Sequence, residues 1–187
     1  MANVYDVANF FVELAGQNGE DEISNMKLNK LLYFAQGHYL AKTGKPLFDD
    51  DIEAWDFGPV IPAIYHKYKI CGKNHIVAEG KDDISSSFTD EEYALLLDIA
   101  REYCKYTASY LMSKTHEPET PWALVWEREK RNAKIDNEII KAFFLDNKIQ
   151  TFDEILATKN ITAIGRRDEN GTLVLPSDED DEYWDKY

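Results

Sequence analysis

The sequence predicts a mainly helical α+β protein: a multi-helix domain over residues 1–147, then an appended segment, 148–187, made of a short helix, a β-hairpin and an acidic tail. Three observations lead there. Apolar residues return at helical spacing in about six or seven separate segments, most of them opened by Ser, Thr, Asp or Asn, the residues that cap helix N-termini. The run from Ile52 to Phe57 is too short and too closely flanked by turn residues to be helix, so it reads as a short strand pair in the N-terminal half. Asn170-Gly171 separates two apolar-rich runs, Ile161 to Arg166 and Thr172 to Leu175, which is the strongest short-range hairpin signal.

In chain order, Asn3 is placed to cap a helix with Val4, Val7, Ala8, Phe11 and Leu14 on one side, closed by Gln17-Asn18-Gly19. Ser24 or Asn25 caps the main helix. There, Leu28, Leu31, Leu32, Ala35 and Tyr39 form one apolar stripe, and Phe34, His38 and Ala41 form a second beside it. An apolar arc that wide belongs to a helix packed on more than one side. Gly44 and Pro46 stop it, because Gly takes the left-handed conformation past a helix end and Pro cannot continue the ladder. Gly58-Pro59 reads as a bend, and Pro62 as the first turn of a helix carrying Ile64, Tyr65 and Tyr68.

Cys71 to Asn74 reads as a turn and Ala78 to Ser87 as an exposed loop. Thr89-Asp90-Glu91-Glu92 is a capping box that opens a helix through Tyr93, Leu96, Leu97, Ala100 and Cys104. Thr107 starts a helix that Pro118 ends. Thr120 caps one with Pro121 at its first position and Trp122, Val125 and Trp126 on one side. Asp136 caps Glu138 to Asp146, and Thr151-Phe152-Asp153-Glu154 is a second capping box.

Composition narrows the function. The formal net charge is −14 in 187 residues, and Ser177 to Tyr187 alone carries six carboxylates against Lys186. Such a surface repels a polyanion backbone, so sequence-independent nucleic-acid binding is not expected. Cys71 and Cys104 are far apart in sequence, and no CxxC pair or secretory leader accompanies them, which points to free thiols and a cytoplasmic protein. No run approaches the length of a membrane span.

No catalytic constellation emerges. Cys71 and His75 have a ligand-like spacing, but no second pair follows, and zinc needs at least three protein ligands; no metal or cofactor is expected. Asp49-Asp50-Asp51 reads as a solvated turn, His38 as a partly buried structural imidazole and His66 as surface. His116 lies just before Pro118, where a helix C-terminus favours an imidazole hydrogen-bonded to the last carbonyls. A hydrolase built on His116 would need an acid or nucleophile beside it, and no GxSxG, GxGxxG or Walker loop is present. The aromatics suggest partner binding instead. Trp and Tyr anchor interfaces by burying area while keeping a polar edge. A rigid bend bracketed by Gly58, Pro59 and Pro62 would hold Trp55, Phe57, Tyr65 and Tyr68 in place, and the tail adds Tyr183 and Trp184. Those residues, with Pro59 and Pro62, are the expected partner-binding set.

Several linked motifs carry a resemblance: Leu28 to Gln36 (LNKLLYFAQ), Thr43 to Phe48 (TGKPLF), Ile52 to Trp55 (IEAW) and Phe57 to Pro62 (FGPVIP), and more weakly Thr115-His116 and Pro121-Trp122. Together they resemble the Panacea domain of the SocA-like antitoxins, a family that includes phage-associated GepA-like proteins. The resemblance covers roughly the first three quarters of the chain and stops near Asn147. It implies a non-enzymatic antitoxin that neutralises a cognate toxin by direct binding, in some members by delivering it to a Clp-type protease. The charge allows a second reading, an acidic phage- or prophage-encoded inhibitor whose carboxylates mimic nucleic acid against a DNA-binding host enzyme. A mimic needs carboxylates in rows on one face; an antitoxin needs an apolar patch with a polar rim.

Overall fold

The structure, a computed structural model, describes residues 1–18, 23–78, 84–129, 132–152, 154–155, 166–167 and 173–174. The chain divides into two compact units, Met1–Ile149 and Gln150–Tyr187. In the first unit, helices α1 (Val4–Asn18) and α2 (Asn25–Thr43) precede strands β1 (Glu53–Trp55) and β2 (Gly58–Val60). Then come α3 (Pro62–Tyr68), α4 (Asp90–Tyr103), α5 (Ala108–Thr115), α6 (Pro121–Glu129), strand β3 (Ala133–Lys134) and α7 (Asn137–Asp146). The fold is mainly helical with a small antiparallel sheet, as the periodicity predicts.

Helix α2 is the axis of this unit. It touches α1, α3, α4, α5, α7 and β2, and 14 of its 19 residues are buried, so the expectation of a helix packed on more than one side holds. The two apolar stripes supply part of that burial. The remainder comes from polar side chains that reach out to other segments, as buried polar groups must be satisfied. Gln36 is the clearest case: its Oε1 accepts from the Leu47 and Phe48 amides, and its Nε2 donates to the Phe48 carbonyl. One buried amide thereby fixes the turn that follows α2. Lys27 Nζ donates to the Cys104 carbonyl at 2.7 Å, which ties α2 to the end of α4.

The helix ends follow the predicted chemistry. Ser24 caps α2 through the Lys27 amide, and Gly44 closes it at φ 73°. Thr89 and Glu92 form the complete capping box of α4; Thr107, Thr120 and Asp136 accept amides at the starts of α5, α6 and α7. Asn3 does the same for α1 through the Tyr5 amide.

The small sheet departs from expectation in two places. Gly58-Pro59 is not the bend: it lies in β2, and the reversal falls at Asp56-Phe57, with the register Glu53↔Val60, Ala54↔Pro59, Trp55↔Gly58. Pro59 is tolerated because the order β2-β1-β3 leaves β2 at an edge, where an absent N–H breaks no second ladder. A third strand, β3, pairs with β1 on its other side (Glu53↔Lys134, Ala54↔Ala133), joining the loop before α7 to the hairpin. The expected loop from Ala78 to Ser87 contains a 3₁₀ turn at Ile84–Ser87, and residues 79–83 lie outside the described set.

In the second unit, Thr151 and Glu154 exchange the two hydrogen bonds of the second capping box. Strands β4 (Arg166–Arg167) and β5 (Leu173–Val174) pair antiparallel, Arg166 opposite Val174. The expected Asn170-Gly171 turn and the acidic tail lie outside the described residues.

Candidate partner-binding groove

A groove of about 380 Å³ opens between the β1–β2 hairpin, α3 and the start of α2, lined by Met26, Lys30, Trp55, Phe57, Tyr65 and Lys69 among others. Each wall is fixed from beneath. Asn25 on α2 donates to the Tyr65 carbonyl at 3.1 Å, and Asn29 Oδ1 accepts the Ile61 amide at 2.9 Å, so two side chains of one helix turn set the start and course of α3. Pro62 occupies the first turn of α3, its ring fixing φ where the helix begins.

The hairpin is held just as firmly. The Trp55 indole donates to Glu53 at 2.8 Å, and the Trp55 carbonyl accepts from the Trp122 indole at 2.8 Å. The Trp55 ring meets Tyr65 edge-on, centroids 4.9 Å apart. At the tip, Phe57 is 62% exposed, and Tyr65 and Met26 are each 36% exposed along the groove. Three large hydrophobic side chains thus meet solvent along one groove.

Beneath the hairpin lies Lys30, 1% exposed, its Nζ donating to the Pro59 carbonyl at 2.9 Å. Burial pulls its amine from 10.5 down to about 7. The hairpin can close over it because residue 58 is glycine: at φ +97° a Cβ there would lie 2.6 Å from Thr115 Oγ1 and 2.9 Å from Lys30 Cε.

Of the residues expected to bind a partner, Trp55, Phe57 and Tyr65 come together in the groove, and Pro62 starts the helix behind it. Pro59 and Tyr68 are instead buried, because Pro59 is the strand residue that receives Lys30 and the Tyr68 hydroxyl points inward at Asn9, 3.4 Å away. Tyr183 and Trp184 lie outside the described residues. Lys30 itself was not singled out by the sequence patterns, although a signal exists. Helix α2 has three lysines and no carboxylate in a chain with 35 acidic residues, so Lys30 has no acidic neighbour one turn away on either side.

The histidines have structural partners. His116 caps the end of α5 with Nδ1 2.7 Å from the Met112 carbonyl; a carbonyl only accepts, so Nδ1 carries the proton. Its ring rests 3.8 Å from that of Trp122, and Nε2 faces the Asp56 carbonyl at 3.4 Å. The neighbouring Thr115 hydroxyl lies 3.3 Å from Nδ1 and donates to the same Met112 carbonyl at 2.7 Å, so both side chains close the last turn of α5. His38 is buried, with Nε2 2.8 Å from the Tyr103 hydroxyl, and burial pulls it down to about 4. Among the described residues no three His, Cys, Asp or Glu side chains gather as a metal would require, and no helix is long and apolar enough to cross a membrane.

Residues 28–123, from α2 to the first turns of α6, match the model of the family "Antitoxin SocA-like, Panacea domain". The chain belongs to the SocA-like Panacea family. It is 32% identical over 144 residues to Antitoxin SocA of Caulobacter vibrioides (strain NA1000 / CB15N), an alignment that spans 68% of this chain and 74% of that protein. No solved structure matches the chain. The Panacea match contains Lys30, Trp55, Phe57, Tyr65 and Lys69, so all of these groove residues except Met26 fall inside the family segment. The resemblance to the family is thereby borne out, and the matched segment spans Thr115-His116 and Pro121-Trp122, where the His116 and Trp122 rings meet at a 40° tilt.

Proposed function

We propose that this protein is a non-catalytic antitoxin that neutralises a cognate toxin by direct binding, and that the toxin docks in the groove between the β1–β2 hairpin and α3. The supporting observation is the solvent-facing trio Phe57, Tyr65 and Met26 on a frame fixed by Asn25, Asn29 and Trp122. Preorganised aromatic anchors reduce the ordering cost of association, which is what tight inhibitory binding requires. The family relative named above is an antitoxin, and the family match takes in Phe57 and Tyr65 of this trio. A nucleic-acid mimic has less support, because two lysines line this groove. Binding that ends in delivery to a Clp-type protease is a compatible route, with the Tyr183–Trp184 tail as a candidate contributor to partner choice.

Co-expression with the small toxin gene expected beside this one tests the reading. The wild type should restore growth, and Phe57→Ser, which changes only an exposed side chain, should fail to do so while keeping its circular dichroism spectrum. Growth rescue by a folded Phe57→Ser, Tyr65→Ser double variant would exclude the groove. Toxin half-life measured with and without the protease separates delivery from blockade, and co-purification with residues 160–187 removed tests the tail.

A further inference from the structure

The groove is charged against the grain of the molecule. In a chain of net charge −14 its lining carries Lys30 and Lys69 against one carboxylate, Asp56, which is itself engaged. Lys30 is the unusual member. It is almost wholly buried, its amine has one hydrogen bond, to the neutral Pro59 carbonyl, and no described carboxylate pairs with it. Buried lysines are ordinarily matched by an anion, because an ammonium withdrawn from water needs a charged acceptor. In the free protein the mismatch is met by partial deprotonation, as burial brings the amine down to about 7.

We propose that the groove receives an acidic side chain of the toxin, set between apolar residues, with Lys30 as its counter-ion and Lys69 on the approach. The inference rests on the docking role proposed above and adds the chemistry of what docks. Trp55, Phe57, Tyr65 and Met26 suit apolar flanks. A carboxylate carried in by those flanks loses water and requires a charged donor at its end. The Lys30 amine supplies one by trading a carbonyl for a carboxylate, a stronger acceptor, at the end of a side chain with four rotatable bonds. A basic toxin drawn by the overall negative charge would still present one acid at this point; net charge steers the encounter and the buried pair fixes the register.

Pairing holds the proton on Lys30, so complex formation above neutrality takes up a proton and binding weakens as pH rises. The other titratable groups lining the groove are Asp56, Tyr65 and Lys69, and His116 adjoins Thr115, whose hydroxyl crowds Gly58 together with the lysine.

Calorimetry with the purified full-length protein and the purified toxin from the neighbouring reading frame tests this, using two buffers of different ionisation heat. The wild type should bind about tenfold more weakly near pH 8.5 than near pH 6.5 and take up a fraction of a proton at the higher pH. Lys30→Met should lose about tenfold in affinity and abolish the pH dependence, His116→Gln should keep both, and Lys69→Glu should weaken binding in a salt-sensitive way. If Lys30→Met binds like the wild type while Phe57→Ser does not bind, the acidic anchor is wrong and the groove stands. If both variants bind like the wild type, both readings fall. Should Lys30→Met not fold, Asp→Asn and Glu→Gln substitutions across the toxin decide: one must cost about tenfold, and none doing so overturns the proposal.

Discussion

Gly37 and Phe144 meet across the contact between α2 and α7, with the Phe144 ring filling the space that a side chain at position 37 would need. The ring is 1% exposed and also packs edge-on against Tyr33 and His38. Gly37→Ala gains helix propensity worth about 1 kcal/mol, yet forces apart a contact whose overpacking costs about 1–3 kcal/mol. Net destabilisation is the expected outcome, read as a lower urea midpoint. A more stable Gly37→Ala would show that α7 can move away freely.

His38 makes stability depend on acid. Its imidazole ordinarily titrates near 6.5 and in the folded protein titrates at about 4, because burial disfavours the cation. Between those values the unfolded chain holds a proton that the folded chain does not. The contribution is therefore complete above pH 6.5 and is lost as the pH falls towards 4, up to about 3 kcal/mol. Comparing wild type with His38→Gln by urea denaturation at about pH 7 and about pH 5 isolates this contribution from the carboxylates, and the wild type should show the larger acid loss.

Lys30 acts in the opposite pH range. Its amine is lowered from 10.5 to about 7, so between these limits the unfolded chain binds more protons than the folded one, and stability rises as the pH climbs from 7 towards 10.5. Lys30→Met should flatten that rise. Equal slopes for the two proteins would mean that the amine keeps its ordinary titration.

Gly58 allows the hairpin to close. At φ +97°, with Thr115 Oγ1 and Lys30 Cε crowding its missing Cβ, Gly58→Ala should cost about 2 kcal/mol or more. Toxin binding should drop with it, because the strand that crowds Lys30 leads directly from Phe57. A Gly58→Ala protein with an unchanged midpoint and full toxin binding would refute this account.

What the sequence made legible was local. Caps at Asn3, Ser24, Thr89, Thr107, Thr120 and Asp136 could be assigned because each depends on a side chain and an amide two or three residues away. The hairpin was only partly legible: Gly58-Pro59 has the composition of a turn, and only the sheet order shows why it serves as an edge strand. Strand β3 could not be anticipated, since its two residues carry no periodicity and its partner lies some eighty positions earlier. Trp55, Phe57 and Tyr65 were visible as aromatics on a constrained bend. Lys30 was not, because burial of a charged residue depends on Gly58 and Pro59 folding over it.

The enclosure of α2 bears on how such a protein changes over time. A helix with water on one side can absorb drift there, whereas this one meets five other helices and a strand around its circumference. Substitutions that leave the packing of this helix untouched are therefore confined to the outside, as at the two-residue reversal Asp56-Phe57 and the exposed Tyr65, His66 and Lys67 of α3.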